Sequence, residues 1–193
     1  MKKHYFFISA IIIFGVLSLK GQAVSFTTPQ TLKSFLPAIE GLRLGLKDLA
    51  TWTLIEKQKF PMAMRTYYKN NQKIIIKIVD AHYEPTAYRD YYFYVDLGKN
   101  RGGKNDVFSA IISGGEKVYI HQKVKQRLFS GVALVGNRYI VTVNVSPAKD
   151  VSLLASVMDQ INFTRLAETN NPVKYRKMDF RIKSEPRERM MEQ

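Results

Sequence analysis

The sequence predicts an α+β fold, a mostly antiparallel β-sheet with helices packed on it, and three observations predict it. A β-branched hairpin occupies residues 62–80, three further strands follow over residues 117–145, and helical patterns fall between and after these groups. The strict alternation of strand and helix that marks a parallel sheet is missing.

The elements follow in order from the amino terminus. Lys2-Lys3-His4 leads into an apolar run from Tyr5 to Leu19, then Lys20 and the small-x-small end Gly21-Gln22-Ala23. A basic start, an apolar stretch and a small-residue edge read as a secretory signal peptide, cut after Ala23. The run is short of the roughly 20 residues that cross a bilayer as a helix. No later segment is apolar enough to span, so the expected product is periplasmic or secreted, without a transmembrane span. The chain has no cysteine, which excludes both disulfides and the acylated cysteine of a bacterial lipoprotein. A disulfide-free exported domain points to a bacterial envelope.

Residues 24–35 are polar, contain Pro29 and read as a linker or a loosely held arm. Residues 36–167 form the single globular domain. Within it, one strand covers residues 62–69, Asn70-Asn71 supplies turn chemistry, and residues 72–80 return through Ile74-Ile75-Ile76. Pro85 then opens a helix at its first turn, with Tyr88, Tyr91, Tyr92 and Val95 on one helical face. Residues 98–105 read as a Gly- and Lys-rich loop, and residues 106–113 as a short helix stopped by Gly114-Gly115.

Strands are expected over residues 117–125, 127–135 and 139–145, with Gly136-Asn137 turning between the last two. The final helix is read from Ser146 as cap, Pro147 at its first position and Asp150 complementing the dipole. Its apolar face is Val151, Leu154, Ala155, Met158 and Ile161. Residues 168–193 turn polar and charged around Pro172 and Pro186 and read as an exposed or disordered tail.

Three segments of this chain carry a resemblance. They are Leu36-Pro37 running into Glu40-Gly41-Leu42, the hairpin Met64-Arg65-Thr66-Tyr67-Tyr68 to Ile74–Asp80, and the strand Gly136–Val143 with its helix. Over roughly residues 34–167 the chain resembles a group of secreted bacterial domains with a PsbP-like α/β sandwich. The resemblance implies a binding or assembly module; it brings no catalytic signature.

Net charge points the same way. The full chain carries +14, and losing Lys2, Lys3 and Lys20 with the leader takes it to +11. That excess favours an anionic macromolecule or an acidic envelope protein as partner. Export makes nucleic acid an unsuited target. Alternation along the strands places Arg65 and Lys69, then Lys73 and Lys77, then Lys117, Lys123, Lys125 and Arg127 at outward parities. Together these eight form a candidate basic sheet face, set against the plain reading of a solvated surface whose lysines discourage edge aggregation.

Two alternatives stay open. Asp80, His82 and Glu84 would point the same way on a continuing strand and could hold a divalent metal or act as an acid/base group. The tyrosine helix, Tyr88 to Tyr94, could instead line an apolar-ligand pocket. Nucleophilic catalysis finds little support, since there is no Gly-x-Ser-x-Gly elbow and Gly98–Lys104 lacks phosphate-loop spacing. The expected function is a non-enzymatic binding module that calls for no cofactor.

Overall fold

The computed structural model of the chain describes residues 27–82, 84–99 and 103–169. The leader, residues 24–26 of the arm, Tyr83, residues 100–102 and the charged tail beyond 169 lie outside the described residues. Seven strands form one sheet: β1 (Arg43–Ile55), β2 (Gln58–Lys69), β3 (Gln72–Asp80), β4 (Asp106–Ser113), β5 (Glu116–Lys123), β6 (Leu128–Val135) and β7 (Tyr139–Ser146). The helices are short: α1 (Pro29–Lys33), α2 (Arg89–Lys99), α3 (Ser152–Asp159) and α4 (Phe163–Glu168), with a 3₁₀ turn over Pro85–Tyr88 before α2. The chain is therefore mostly antiparallel sheet, as the alternation predicts.

Strand order is β1-β2-β3-β7-β6-β5-β4. Two antiparallel meanders, β1–β3 and β4–β7, join where β3 pairs with β7. The hairpin of β2 and β3 turns at Asn70-Asn71 as expected, with Asn70 at φ 54° and Lys69 opposite Gln72.

Two expected helices differ in the structure. Residues 106–113 are strand β4, not a helix. Gly114 and Gly115 sit at φ 55° and 83°, the two positive dihedrals of a tight hairpin turn, and Ser113 pairs with Glu116 across it. The glycines that read as a helix stop are the hairpin itself. The carboxy-terminal helix also starts later than Ser146, which is the last residue of β7. Asp150 holds its start, its Oδ1 accepting from Ser152 N at 2.9 Å, and the helix ends at Asp159 before Asn162 caps α4.

The arm is not loose where it is described. Thr28 caps α1, Pro29 takes its first turn, and Leu32 is fully buried. The long strand β1 had no counterpart in the sequence reading. It is irregular between Leu44 and Asp48, and it keeps Leu46, Trp52 and Leu54 exposed.

Register divides the sheet into two unlike faces. On the first, Ile74, Ile76 and Ile78 of β3 and Val141, Val143 and Val145 of β7 share one core with Leu32 of α1, Leu154, Val157 and Met158 of α3, and Phe163 and Leu166 of α4. Approach is close there: a Cβ on Gly131 would meet Leu154 Cδ2 at 2.9 Å and Met158 Cε at 3.0 Å. On the second face, Val79, Val132 and Ile140 form a smaller core with Ala87, Tyr88 and the α2 tyrosines Tyr91, Tyr92 and Tyr94. Among the described residues no helix is long and apolar enough to cross a membrane.

Candidate binding site

The eight basic residues do not share one face. Directly opposed residues in a sheet point the same way, and the hairpin pairs Arg65 with Ile76, so Arg65 and Lys69 lie on the first, core-bearing face. Lys73 and Lys77 take the second face with Lys117 and Lys123, since Lys77 pairs with Thr142, Thr142 with Val132, and Val132 with Tyr119. Lys125 and Arg127 leave the sheet in the β5–β6 turn, where Arg127 has φ 47°.

Arg65 is a structural ion. Its Nε donates to Asp48 Oδ1 at 3.1 Å, and its Nη1 donates to the carbonyls of Leu36 at 2.9 Å and Pro37 at 3.2 Å. Lys33 of α1 closes on the same carboxylate at 3.0 Å. Burial pushes the Asp48 carboxyl up, but the hydrogen bonds and charges of Lys33 and Arg65 outweigh it and hold it below the usual carboxylate range.

What register assembles instead is a basic end. The β2–β3 turn, the β5–β6 turn and the start of β4 lie at one end of the sheet, because Lys73 pairs with Ser146, Phe129 with Val145, and Asp106 with Lys123. Lys69, Lys73, Lys123, Lys125 and Arg127 all fall there, and all but half-buried Lys123 are exposed. Lys149 joins them, since Ala148 N donates to Arg127 O at 2.7 Å. The two carboxylates there are engaged: Asp106 with His121 at 2.7 Å, and Asp150 with Ser152. Lys117 sits at the other end, its ammonium 5.0 Å from the Tyr119 ring.

A second concavity lies on the α2 side. A cleft of about 320 Å³ opens between the sheet and the middle of α2, with Val79, Val132, Ile140 and Ile55 as apolar wall and Phe93 and Tyr94 on the helix side. Lys77, Thr142 and Asn144 supply its polar side. The tyrosines divide between roles: Tyr88 is buried and donates to Asn137 O at 2.8 Å, while Tyr91 packs edge-on against Tyr119. Burial, with Tyr119, Tyr92 and Glu116 nearby, pushes the Tyr91 hydroxyl up to about 12.

The Asp80, His82 and Glu84 alignment fails because β3 ends at Asp80. His82 turns into the left-handed region at φ 50°, and the 3₁₀ turn begins at Pro85, so alternation never reaches residue 84. Asp80 is instead fully buried and saturated. Arg138 Nε and Nη2 donate to its two oxygens at 2.7 and 2.6 Å, and the backbone N–H groups of Thr27 and His82 donate at 2.9 and 3.0 Å. Burial pushes the His82 imidazole down, more than the Asp80 charge raises it. Among the described residues no group of three His, Asp or Glu is placed to hold a metal ion.

His121 comes nearest to a catalytic arrangement. It stacks on Phe108 at 4.4 Å, lies edge-on to Tyr94 at 6.0 Å and is bonded to Asp106. Ser130 faces it across the β5–β6 pair, and no hydrogen bond joins the two side chains. Among the described residues, no hydroxyl is hydrogen-bonded to this His–Asp pair. Thr142 and Asn144 are not among the residues singled out from sequence, whereas Phe93 falls within the Tyr88–Tyr94 stretch read as a possible pocket wall. The first two alternate with Val141, Val143 and Val145, so the parity of β7 already carried their signal.

No protein-family model, curated protein or solved structure matches the chain.

Proposed function

We propose that the chain is an exported, non-enzymatic binding module of the bacterial envelope, periplasmic or secreted, in which an α+β domain with helices packed on its sheet presents a basic end to an anionic macromolecule or acidic envelope protein. The reading includes a cleaved leader and a PsbP-like sandwich, and it needs no cofactor. One observation carries it: Lys69, Lys73, Lys123, Lys125 and Arg127 reach one end of the sheet from two separate turns. Exposed charges of one sign, gathered on neighbouring turns, attract polyanions through an interaction that salt screens.

The test compares the two ends of the sheet. Lys69→Glu, Lys73→Glu and Lys125→Glu together should lower affinity for an immobilised polyanion at least about tenfold and flatten its salt dependence. The matching triple at the other end, Lys57→Glu, Lys59→Glu and Lys117→Glu, should change both far less. Equal loss from the two triples would show that net charge, not the basic end, does the binding.

A further inference from the structure

We propose that the cleft beside α2 binds a single-chain amphiphile with an anionic head, of the class of a medium-chain carboxylate. This builds on the reading of the chain as a binding module but uses none of the residues of the basic end.

The cleft floor changes polarity along its strands. On β7, Asn144 and Thr142 give way to Ile140; on β3, Lys77 gives way to Val79. Residues two apart on a strand face the same way and lie roughly 7 Å apart, and Lys77 pairs directly with Thr142. The polar residues therefore sit together at one side of the cleft, and the apolar ones continue from them in line. A ligand matching this floor carries a charged or polar head joined to an apolar chain.

Lys77 sets the sign of the head. Its side chain is half-buried on the cleft floor, and no carboxylate among the described residues pairs with it. An ammonium drawn out of water among apolar groups gains most from an opposite charge. Thr142 and Asn144 can each donate to the same anionic oxygens. Phe93 of α2, which also lines the cleft, is 56% exposed, an aromatic surface that a bound ligand would cover. The volume of about 320 Å³ falls at the low end of small-molecule sites, roughly 300–1,000 Å³. It has room for one short chain.

The test is calorimetric titration of the full chain with decanoate, decanol and acetate, each below any micelle concentration. Decanoate should saturate one site per chain, decanol should bind at least about tenfold more weakly, the loss of one charge-assisted contact, and acetate should give no measurable heat. Lys77→Met should bring decanoate down to the affinity of decanol while leaving decanol unchanged, which also shows that the variant is folded. Phe93→Ala should weaken both ligands. Equal affinity for decanoate and decanol, undiminished decanoate binding in Lys77→Met, or no saturable binding overturns the proposal. If decanoate fails while polyanion affinity still depends on Lys69, Lys73 and Lys125, the cleft assignment alone falls.

Discussion

The two faces of the sheet are built from the same strands but differ in closure. On one, alternate residues of β3 and β7 meet α1, α3 and α4 in a continuous apolar core, and Gly131 is needed because Leu154 and Met158 press against it. On the other, the α2 tyrosines meet Val132 and Ile140 over part of the sheet, and half-buried Met64, Ile75 and Lys77 extend beyond them. Stability and recognition are thereby separated by strand parity. A residue on the closed face answers to packing; its immediate neighbour on the open face is free to be chosen for a partner.

The largest expected effect tests the clasp at the edge of the closed face. Arg138 is 4% exposed and Asp80 fully buried, so Asp80→Ala strands a buried guanidinium without its carboxylate. The loss should be about 3–5 kcal/mol by denaturant unfolding, and a loss under about 1 kcal/mol would mean that water reaches Arg138. The next test uses adjacent isoleucines. Ile76→Ala, on the closed face, should cost about 2–5 kcal/mol. Ile75→Ala, half-buried on the open face, should cost about 1 kcal/mol. Equal costs would break the distinction between the faces.

Much of this division was legible in the sequence, and the failures are physical. The hairpin of β2 and β3 and the strands β5, β6 and β7 follow from alternation and from Asn and Gly turns. Facing was misread because the parity of one strand says nothing about the next until register is known. With two residues in the turn, Lys69 opposes Gln72, so odd residues of β2 share a face with even residues of β3. That arithmetic already placed Arg65 beside Ile76, away from Lys73 and Lys77. Strand β4 was lost because Gly114-Gly115 ends a helix as well as it turns a hairpin. Only the pairing of Ile111 with Val118 decides between them. The helix side of the cleft was legible as the Tyr88–Tyr94 stretch, but its floor was not, since that needs α2 to lie across strands that adjoin it only in three dimensions. Asp80 was visible as a polar strand end, but its partner Arg138 lies 58 residues away.

The smallest expected effect separates the faces by pH. On the closed face, Lys33 and Arg65 hold the Asp48 carboxyl below its usual value. As pH falls below about 4, the unfolded chain takes up this proton first, so the stability contributed by the clasp is present above that pH and lost below it. On the open face, the Tyr91 hydroxyl is raised to about 12. Between about pH 10 and 12 the unfolded chain releases its proton while the folded chain keeps it, so stability falls as pH rises. Asp48→Asn should flatten the acid slope alone, and Tyr91→Phe the alkaline slope alone. Amide exchange should localise the two losses, with acid releasing α1 from β1 and alkali releasing α2 from β5. Because Lys33 and Arg65 share a single, partly exposed carboxylate, the acid effect should stay within about 1 kcal/mol. If acid instead released α2 first, the coupling of each face to its own titrating group would be wrong, and the two faces would have to be treated as one cooperative unit.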